Sequence, residues 1–317
     1  MRRYVAGIVN HGSYEDLARC LASLSQQDAR PEAVFVVDTG VDPARLEALV
    51  REYASIGFEL RANLGWGAGV NRILSRVDHE HPSVPYVLLL NPDIELDADF
   101  AAVLLDALEA DPRVALASGK LLRPGRTVID SAGIRLPRHR RPRDRGSDEA
   151  DGGQYDRAEF VFGVSGAAMM LRRAALTDLA VAGEVVDEDF FAYHDDTDLC
   201  WRANRFGWRV LYEPRACGVH GRRWKREQRM EIAPFVRRHS FKNHYLQIIK
   251  NERLPDFFLN LPWLLTWELL RFGFALLRDR ALLAGYGDAL ANSRRAFAKR
   301  RVIERRARSR VIATPPK

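Results

Sequence analysis

From Tyr4 to Ala117, apolar and polar residues fall in blocks that predict a repeating order of strand and helix. Tyr4 to Val9 is a short apolar run closed by Asn10, His11 and Gly12, which reads as a buried strand and its turn. Tyr14 to Leu24 places Leu17, Leu21 and Leu24 at helical spacing. Residues 33–37 (AVFVV) predict a second strand, closed by Asp38, Thr39 and Gly40. Pro43 to Tyr53 is a helical pattern, and Phe58 to Leu60 a short third strand. This alternation predicts an α/β fold with a mostly parallel, Rossmann-like sheet and covering helices. Such sheets bind ligands at the carboxyl ends of their strands. Asn10, Asp38 and Asn63 fall there.

Residues 63–71 (NLGWGAGVN) are rich in glycine and lead into a helix. Gly65, Gly67 and Gly69 let backbone approach a ligand closely, and a helix N-terminus attracts phosphate. The dinucleotide fingerprint GxGxxG is not met, so a ligand loop and a plain tight turn both remain open. Residues 86–90 (YVLLL) form the most apolar run and predict the central strand. Asn91, Pro92 and Asp93 follow it. An acid in that position either holds a hard divalent cation through oxygen or caps the helix predicted from Ala98 to Leu108.

Val114 to Ala117 predicts a further strand. From Leu122 to Asp156 the chain turns polar and carries six arginines between Arg135 and Arg145, which predicts a long mobile loop over the site. Beyond it lies the densest acidic stretch. Asp187, Glu188, Asp189, Asp195, Asp196 and Asp198 are interleaved with Phe190, Phe191, Tyr193 and Trp201. Carboxylates against aromatic surface are partly desolvated, which raises their pKa and suits them to accept protons near neutral pH. Aspartates at a helix N-terminus are also favoured by the helix dipole. Capping and catalysis both fit this segment.

Charge changes the picture at the far end of the chain. The net charge is +7, yet residues 251–317 hold 14 Lys and Arg against 6 Asp and Glu, whereas the first 250 hold 35 against 36. Phe257 to Leu277 is apolar apart from Glu268 and Arg271, contains Trp263 and Trp267, and is interrupted by Pro262. Mid-segment charge and aromatic residues suit a helix lying in a membrane interface, alone or paired with residues 281–290. Arg294 to Arg310 then adds nine Lys and Arg and one Glu, the second half of a two-part anchor for anionic lipid. Two regions follow: 1–250 as the catalytic domain and 251–317 as a helical, membrane-associating tail. The basic and aromatic mixtures at 222–226 and 237–245 fit nucleic acid or an acceptor bearing a diphosphate. Cys20, Cys200 and Cys217 are odd in number and lack CxxC spacing, so neither a disulfide framework nor a zinc ribbon is indicated. The start of the chain reads as a strand and not as a leader, and the expectation is a cytoplasmic protein, peripheral on the inner face of the cell membrane.

Several motifs in fixed order resemble family 2 glycosyltransferases of the GT-A fold, in their bacterial rhamnosyltransferase-like branch. They are Val9-Asn10, Val37-Asp38, the Asn63–Asn71 loop, residues 89–93 (LLNPD), residues 166–173 (GAAMMLRR) and residues 190–202 (FFAYHDDTDLCWR). The resemblance implies inverting transfer of a sugar from a nucleotide diphosphate, dTDP- or UDP-linked and with dTDP-L-rhamnose the leading choice. The implied acceptor is a hydroxyl of a glycan or polyprenyl-diphosphate-linked glycan in cell-envelope polysaccharide synthesis. Asp38 and Asn10 would meet the nucleotide, with Asn63, Gly65, Asn71, Asn91 and Arg202 around the donor. Asp93 would hold Mg2+ or Mn2+ on the diphosphate, with His220 completing the metal shell. Asp196 would be the general base, with Asp195 standing where Glu is usual. Asn91-Pro92-Asp93 offers one acid where the family's DxD offers two. A nucleotidyltransferase would carry a basic residue in the glycine loop, and none lies between Asn63 and Asn71. A nucleic-acid-binding module would spread its charge over one face of a folded domain, so no nucleic-acid partner is expected.

Overall fold

The computed structural model describes residues 3–40, 42–53, 56–222 and 232–313. β1 (Tyr4–Asn10), α1 (Tyr14–Ser25), β2 (Val34–Asp38), α2 (Pro43–Glu52), β3 (Gly57–Leu60), α3 (Trp66–Glu80) and β4 (Tyr86–Leu90) follow in the alternation the apolar blocks predict. β3, β2, β1 and β4 lie side by side and parallel. Helices cover both faces, so every residue of β4 is buried. Tyr4, Ala6, Ile8, Leu88 and Leu90 pack on one side with α1, while Val5, Val87 and Leu89 pack on the other with α3. The period of two along each strand sorts side chains between these two cores.

β5 (Ile94–Leu96) and α4 (Phe100–Ala110) lead to β6 (Val114–Leu122), which is wholly buried and longer than the sequence predicts. β11 (Ala168–Arg172) inserts antiparallel between β4 and β6. β12 (Arg209–His220) runs parallel to β6 and antiparallel to β5, which sets His220 opposite Ile94. The sheet is therefore parallel in its first half and mixed beyond, and its strand ends gather Asn10, Asp38, Asn91 and His220 at one edge of the molecule.

Residues 122–156 correct an expectation. They do not form a long mobile loop but carry β7 (Ile129–Ser131), paired with β6, and β8 (Ile134–Arg135), paired with β9 (Arg143–Asp144). Ile129 and Ala132 seal a small core with Leu122 and Tyr212. Two- and three-residue strands are too short to show periodicity, which is why composition alone read this region as loop. β10 (Glu159–Phe160) pairs with β12 at the sheet edge.

α5 (Arg173–Leu179) and α6 (Asp195–Arg205) complete the domain, and three long helices follow: α7 (Pro234–Asn251), α8 (Leu254–Leu277) and α9 (Leu283–Ala313). Only Asn260 and Ala275 of α8 are buried, and Leu259, Leu265, Leu269, Leu270 and Leu277 stand well exposed. Among the described residues no helix is long and apolar enough to cross a membrane. α9 turns back onto the sheet domain. Ile303 is fully buried in the α3-side core, and Arg306 donates to the carbonyls of Asp178 and Ala180. Part of the basic mixture at 222–226 lies outside the described residues.

Candidate active site

The site is built from the carboxyl ends of β1, β2 and β4, the end of β12 and the start of α6. At the β1–β2 end, Asn10 and Asp38 are cross-strand partners and fully buried. Asn10 Nδ2 donates to Asp38 Oδ1 at 2.8 Å, and the Tyr14 hydroxyl donates to Asp38 Oδ2 at 2.9 Å. The backbone N–H of Gly40 adds a bond to Asp38 Oδ1 at 3.2 Å. These bonds lock the carboxylate in one orientation. Asn63 lies beside them, its Nδ2 3.5 Å from His11 Nδ1, and its side-chain oxygen accepts the N–H of Gly65 at 3.1 Å.

Gly65 starts α3 with φ of +97°, and a Cβ there would come within 2.3 Å of the Phe191 carbonyl oxygen. Only glycine allows that approach. The glycine loop is thus keyed to the turn before α6, and Trp66 N–H donates to Phe191 O at 2.7 Å. Asn71 reaches the same region from further along α3. It donates to Val186 O and Glu188 Oε1 and accepts from the N–H groups of Val185 and Val186. Its amide is fully occupied in tying α3 to the acidic segment.

Asp93 follows β4, and antiparallel pairing of β12 with β5 brings His220 beside it. Asp93 Oδ1 lies 3.4 Å from His220 Nε2. The other ring nitrogen, Nδ1, is 2.7 Å from Oδ2 of Asp130, a fully buried residue of β7. Burial works against a charged imidazole, but the bonds and charges of Asp130 and Asp93 outweigh it and push His220 up to about 9. In return His220 holds Asp93 below the ordinary carboxylate range, against the effect of burial. Arg222 lies 3.5 Å from Asp130 and 3.5 Å from Asp144 of β9. Burial raises Asp144 to about 6, with Arg222 opposing.

Asp195 and Asp196 open α6 and point apart. The Asp196 carboxylate accepts from Gly166 N–H at 3.0 Å on Oδ2 and from Thr197 N–H at 2.7 Å on Oδ1. Asp195 turns inward towards Gly67, is buried, and leaves Oδ1 without a partner among the described residues. Desolvation first, and then the Asp196 charge, raises Asp195 well above its ordinary value. The chain reaches this pair through Phe191, Tyr193 and His194, all at φ of +67° to +69°, a left-handed conformation uncommon outside glycine. Such strain needs external support. Asn243 of α7 supplies it by donating to the carbonyls of Phe190, Ala192 and Tyr193. The charge of Asp196 acts on Arg222 and Asp144, and Arg222 also lies beside Asp130, the partner of His220.

Arg202 is elsewhere. It is 1 % exposed, pairs with Asp198 at 3.0 Å and donates to the carbonyls of Leu179 and Val185. It braces α6 from behind. Asn91 donates its N–H to Ala167 O at 2.8 Å, which ties β4's end to the strand that carries Gly166.

The arrangement fits a divalent cation. Asp93 and His220 offer one carboxylate and one imidazole, and a carboxylate fixes the far nitrogen of the ring, as metal-binding histidines require. Among the described residues no cluster of three or more His, Cys, Asp or Glu forms a closed metal cage. A cation held by Asp93 and His220 would need further ligands from outside the protein, as hard cations on nucleotides commonly have.

The model of glycosyl transferase family 2 matches residues 6–179. An N-acetylglucosaminyl-diphospho-decaprenol L-rhamnosyltransferase of Mycobacterium tuberculosis is 32% identical over 223 residues, 64% of this chain and 71% of the relative. The chain belongs to glycosyltransferase family 2. Solved structures agree on the fold. TarS from S. aureus superposes with a TM-score of 0.59 at 14% identity, covering 98% of this chain and 53% of TarS. A mannosyltransferase from Pyrobaculum calidifontis, solved with GDP-Man and Mn2+, gives 0.53 at 18% identity, covering 99% and 88%. The protein is a glycosyltransferase with a GT-A fold.

Within the transferase, the sequence-level candidates Asn10, Asp38, Asn63 and Gly65 meet at the β1–β2 end, and Asp93 meets His220. Asp130, Asp144, Tyr14 and Gly166 were not singled out from the sequence. Asp130 and Asp144 each stand as one acid in a polar stretch, and nothing in local spacing sets them apart. A buried acid opposite a histidine 90 positions away emerges only from strand pairing.

Proposed function

We propose that this transferase moves L-rhamnose, with inversion, from dTDP-L-rhamnose to a hydroxyl of an N-acetylglucosamine linked through diphosphate to a polyprenol, in cell-envelope polysaccharide synthesis. One observation carries the reading. Two acids of different surroundings, Asp93 beside His220 and Asp196 held by Gly166, are linked through Arg222, which pairs with Asp144 and with His220's partner Asp130 and feels the charge of Asp196. The sugar and the acceptor are chosen by likeness to the mycobacterial relative.

Asp38, fixed by Asn10 and Tyr14, takes the nucleotide's base or ribose. Asn63, Gly65 and Asn91 border the donor. Asp93 and His220 would hold a divalent cation, which when bound would offset charge on the nucleotide diphosphate. Asp196 accepts the proton of the acceptor hydroxyl as that oxygen attacks the anomeric carbon from the face opposite the leaving group. The new C–O bond forms as the bond to the diphosphate breaks, which inverts the anomeric centre. The N–H groups of Gly166 and Thr197 aim the Asp196 carboxylate, and Asp195, its pKa raised by burial, lies beside it. The exposed apolar face of α8, with Arg294, Arg301, Arg305 and Arg308 exposed on α9, rests on an anionic membrane at the cytoplasmic face. Flotation with anionic vesicles tests this last part, and a protein that stays unbound at physiological salt refutes it.

Binding tests the donor assignment. Thermal shifts with dTDP, UDP, GDP and CDP, each with Mn2+ or with chelator, should give a metal-dependent rise with dTDP above the others. A rise that is equal with chelator, or that favours GDP or CDP, contradicts it.

A further inference from the structure

The arginine-rich turn between β8 and β9 docks on α8. Arg140 forms a double ion pair with Glu252, both bonds 2.6 Å, and the turn's next contacts fall on tryptophans of α8. The Arg138 guanidinium lies 4.3 Å from the centre of the Trp263 ring. His139 stacks on Trp267 with centroids 4.6 Å apart, and the Arg141 guanidinium is 5.6 Å from the same ring.

Beneath this contact lies a group of buried nitrogen atoms without hydrogen-bond partners among the described residues. Trp267 Nε1 and Arg271 Nη1 are buried with no partner among the described residues, and so is Nδ1 of His244, a residue 4 % exposed. Arg271 sits over Phe241 at 4.2 Å and Tyr245 at 5.0 Å, whose ring faces offset part of its desolvation. The charge of its neighbour Glu268 opposes the cost of burying Arg271, but the Glu268 oxygens accept the Tyr245 and Tyr286 hydroxyls. Burial first, and then the charges of Arg271 and Arg141, push both imidazoles below the ordinary range, His194 to about 3. Buried nitrogens left without a partner, one of them on a cation, carry a desolvation cost that an anion would relieve.

Position narrows the choice of anion. His194, whose ring centre is 6.5 Å from that of His244, immediately precedes Asp195 and Asp196. The group of nitrogens thus lies between the catalytic turn and the exposed apolar face of α8. An acceptor whose sugar is joined directly to a lipid diphosphate has the same order: reacting hydroxyl, diphosphate, apolar chain.

Resting on the function proposed above, we infer that Arg271, Trp267 and His244, roofed by His139 and Arg141, bind the diphosphate of the lipid-linked acceptor. This site is separate from the Asp93–His220 end that takes the donor's diphosphate.

Calorimetric titration of the full-length protein with geranyl diphosphate, geraniol and inorganic pyrophosphate, all in chelator, tests the inference. Geranyl diphosphate should bind at least about tenfold more tightly than either of the others, the scale of a hydrogen bond to a charged group. Arg271→Gln should lose about tenfold of that affinity and Asp93→Asn should lose none. Trp267→Phe, which keeps the ring and removes the N–H, should weaken it in the same direction and serves if Arg271→Gln does not fold. Loss in Asp93→Asn with retention in Arg271→Gln assigns the probe to the donor end and overturns the inference. Equal affinity for pyrophosphate and geranyl diphosphate overturns the lipid-linked source. Metal-dependent nucleotide binding is measured separately. If it persists without geranyl diphosphate binding, only the acceptor site fails. If geranyl diphosphate binds without it, the donor assignment fails.

Discussion

Lys299 of α9 closes on Asp187 at 2.6 Å, nine positions before the Asp196 that faces the crevice. Lys250 of α7 binds the other Asp187 oxygen and reaches Asp198 at 2.9 Å. Two helices from the C-terminal region thus hold the acidic segment from below. Removing Lys299 leaves the buried Asp187 with Lys250 as its remaining cation. Lys299→Met should therefore cost about 2 kcal/mol of stability, the scale of a hydrogen bond to a charged group, read by urea denaturation. A loss below about 0.5 kcal/mol would mean that α9 does not brace the segment, since that is the range of ordinary surface substitutions.

The same pairs set an acid-side dependence. Burial alone would raise Asp187, but Lys250 and Lys299 dominate and hold its carboxyl well below the usual range. A folded-state pKa below the unfolded one gives stability that is full above the unfolded value of about 4 and fades as pH falls through the folded value. Asp187→Asn should be less stable than the wild type at pH 6, and the gap in melting temperature should narrow as pH drops below about 4. A gap that stays constant with pH would show that the carboxylate's charge is not the source.

Asp195 and Asp196 should respond oppositely to the same substitution. Asp196→Asn removes the proton acceptor and should lower kcat by about 10²–10⁴-fold with nucleotide affinity unchanged. Asp195→Asn replaces a buried carboxyl, whose pKa desolvation raises well above its ordinary value, with an amide of equal size. It should keep transfer within about threefold, half a pKa unit's worth of free energy. If Asp195→Asn is the inactive variant, the base is misassigned.

Asp130 acts through His220. Asp130→Asn keeps the shape but loses the charge that fixes the ring, and should weaken the Mn2+ dependence of nucleotide binding by about 10- to 100-fold. Unchanged metal titration curves for the nucleotide complex would remove Asp130 from this role.

These residues also mark how far the sequence could be read. Tyr86 to Leu90 is apolar throughout, so its central place, with Asp93 just beyond its carboxyl end, follows from composition and topology. The Asp195–Asp196 pair was visible as acid among aromatics, but which oxygen faces the crevice depends on Gly166, 30 positions earlier. The basic run from Arg294 to Arg310 read as charge for lipid. In the fold Lys299 meets Asp187 112 positions away, and Arg300 donates to Ile249 O, while Arg294, Arg301, Arg305 and Arg308 remain exposed. A charge reads as solvated when its partner is distant in sequence, and tertiary contact alone separates the two sets. The short strands at 129–135 and 143–144 escaped for a related reason, because their stability comes from β6 and from each other and not from their own pattern.

The most direct test is transfer itself. Purified full-length protein with Mn2+ is given dTDP-L-rhamnose and a short-chain polyprenyl-diphosphate N-acetylglucosamine, and the product is analysed by mass spectrometry and NMR. The account predicts a rhamnosylated acceptor with inverted anomeric configuration, formed by wild type and Asp195→Asn and lost in Asp196→Asn. A product of retained configuration, or equal product from Asp196→Asn, would contradict it.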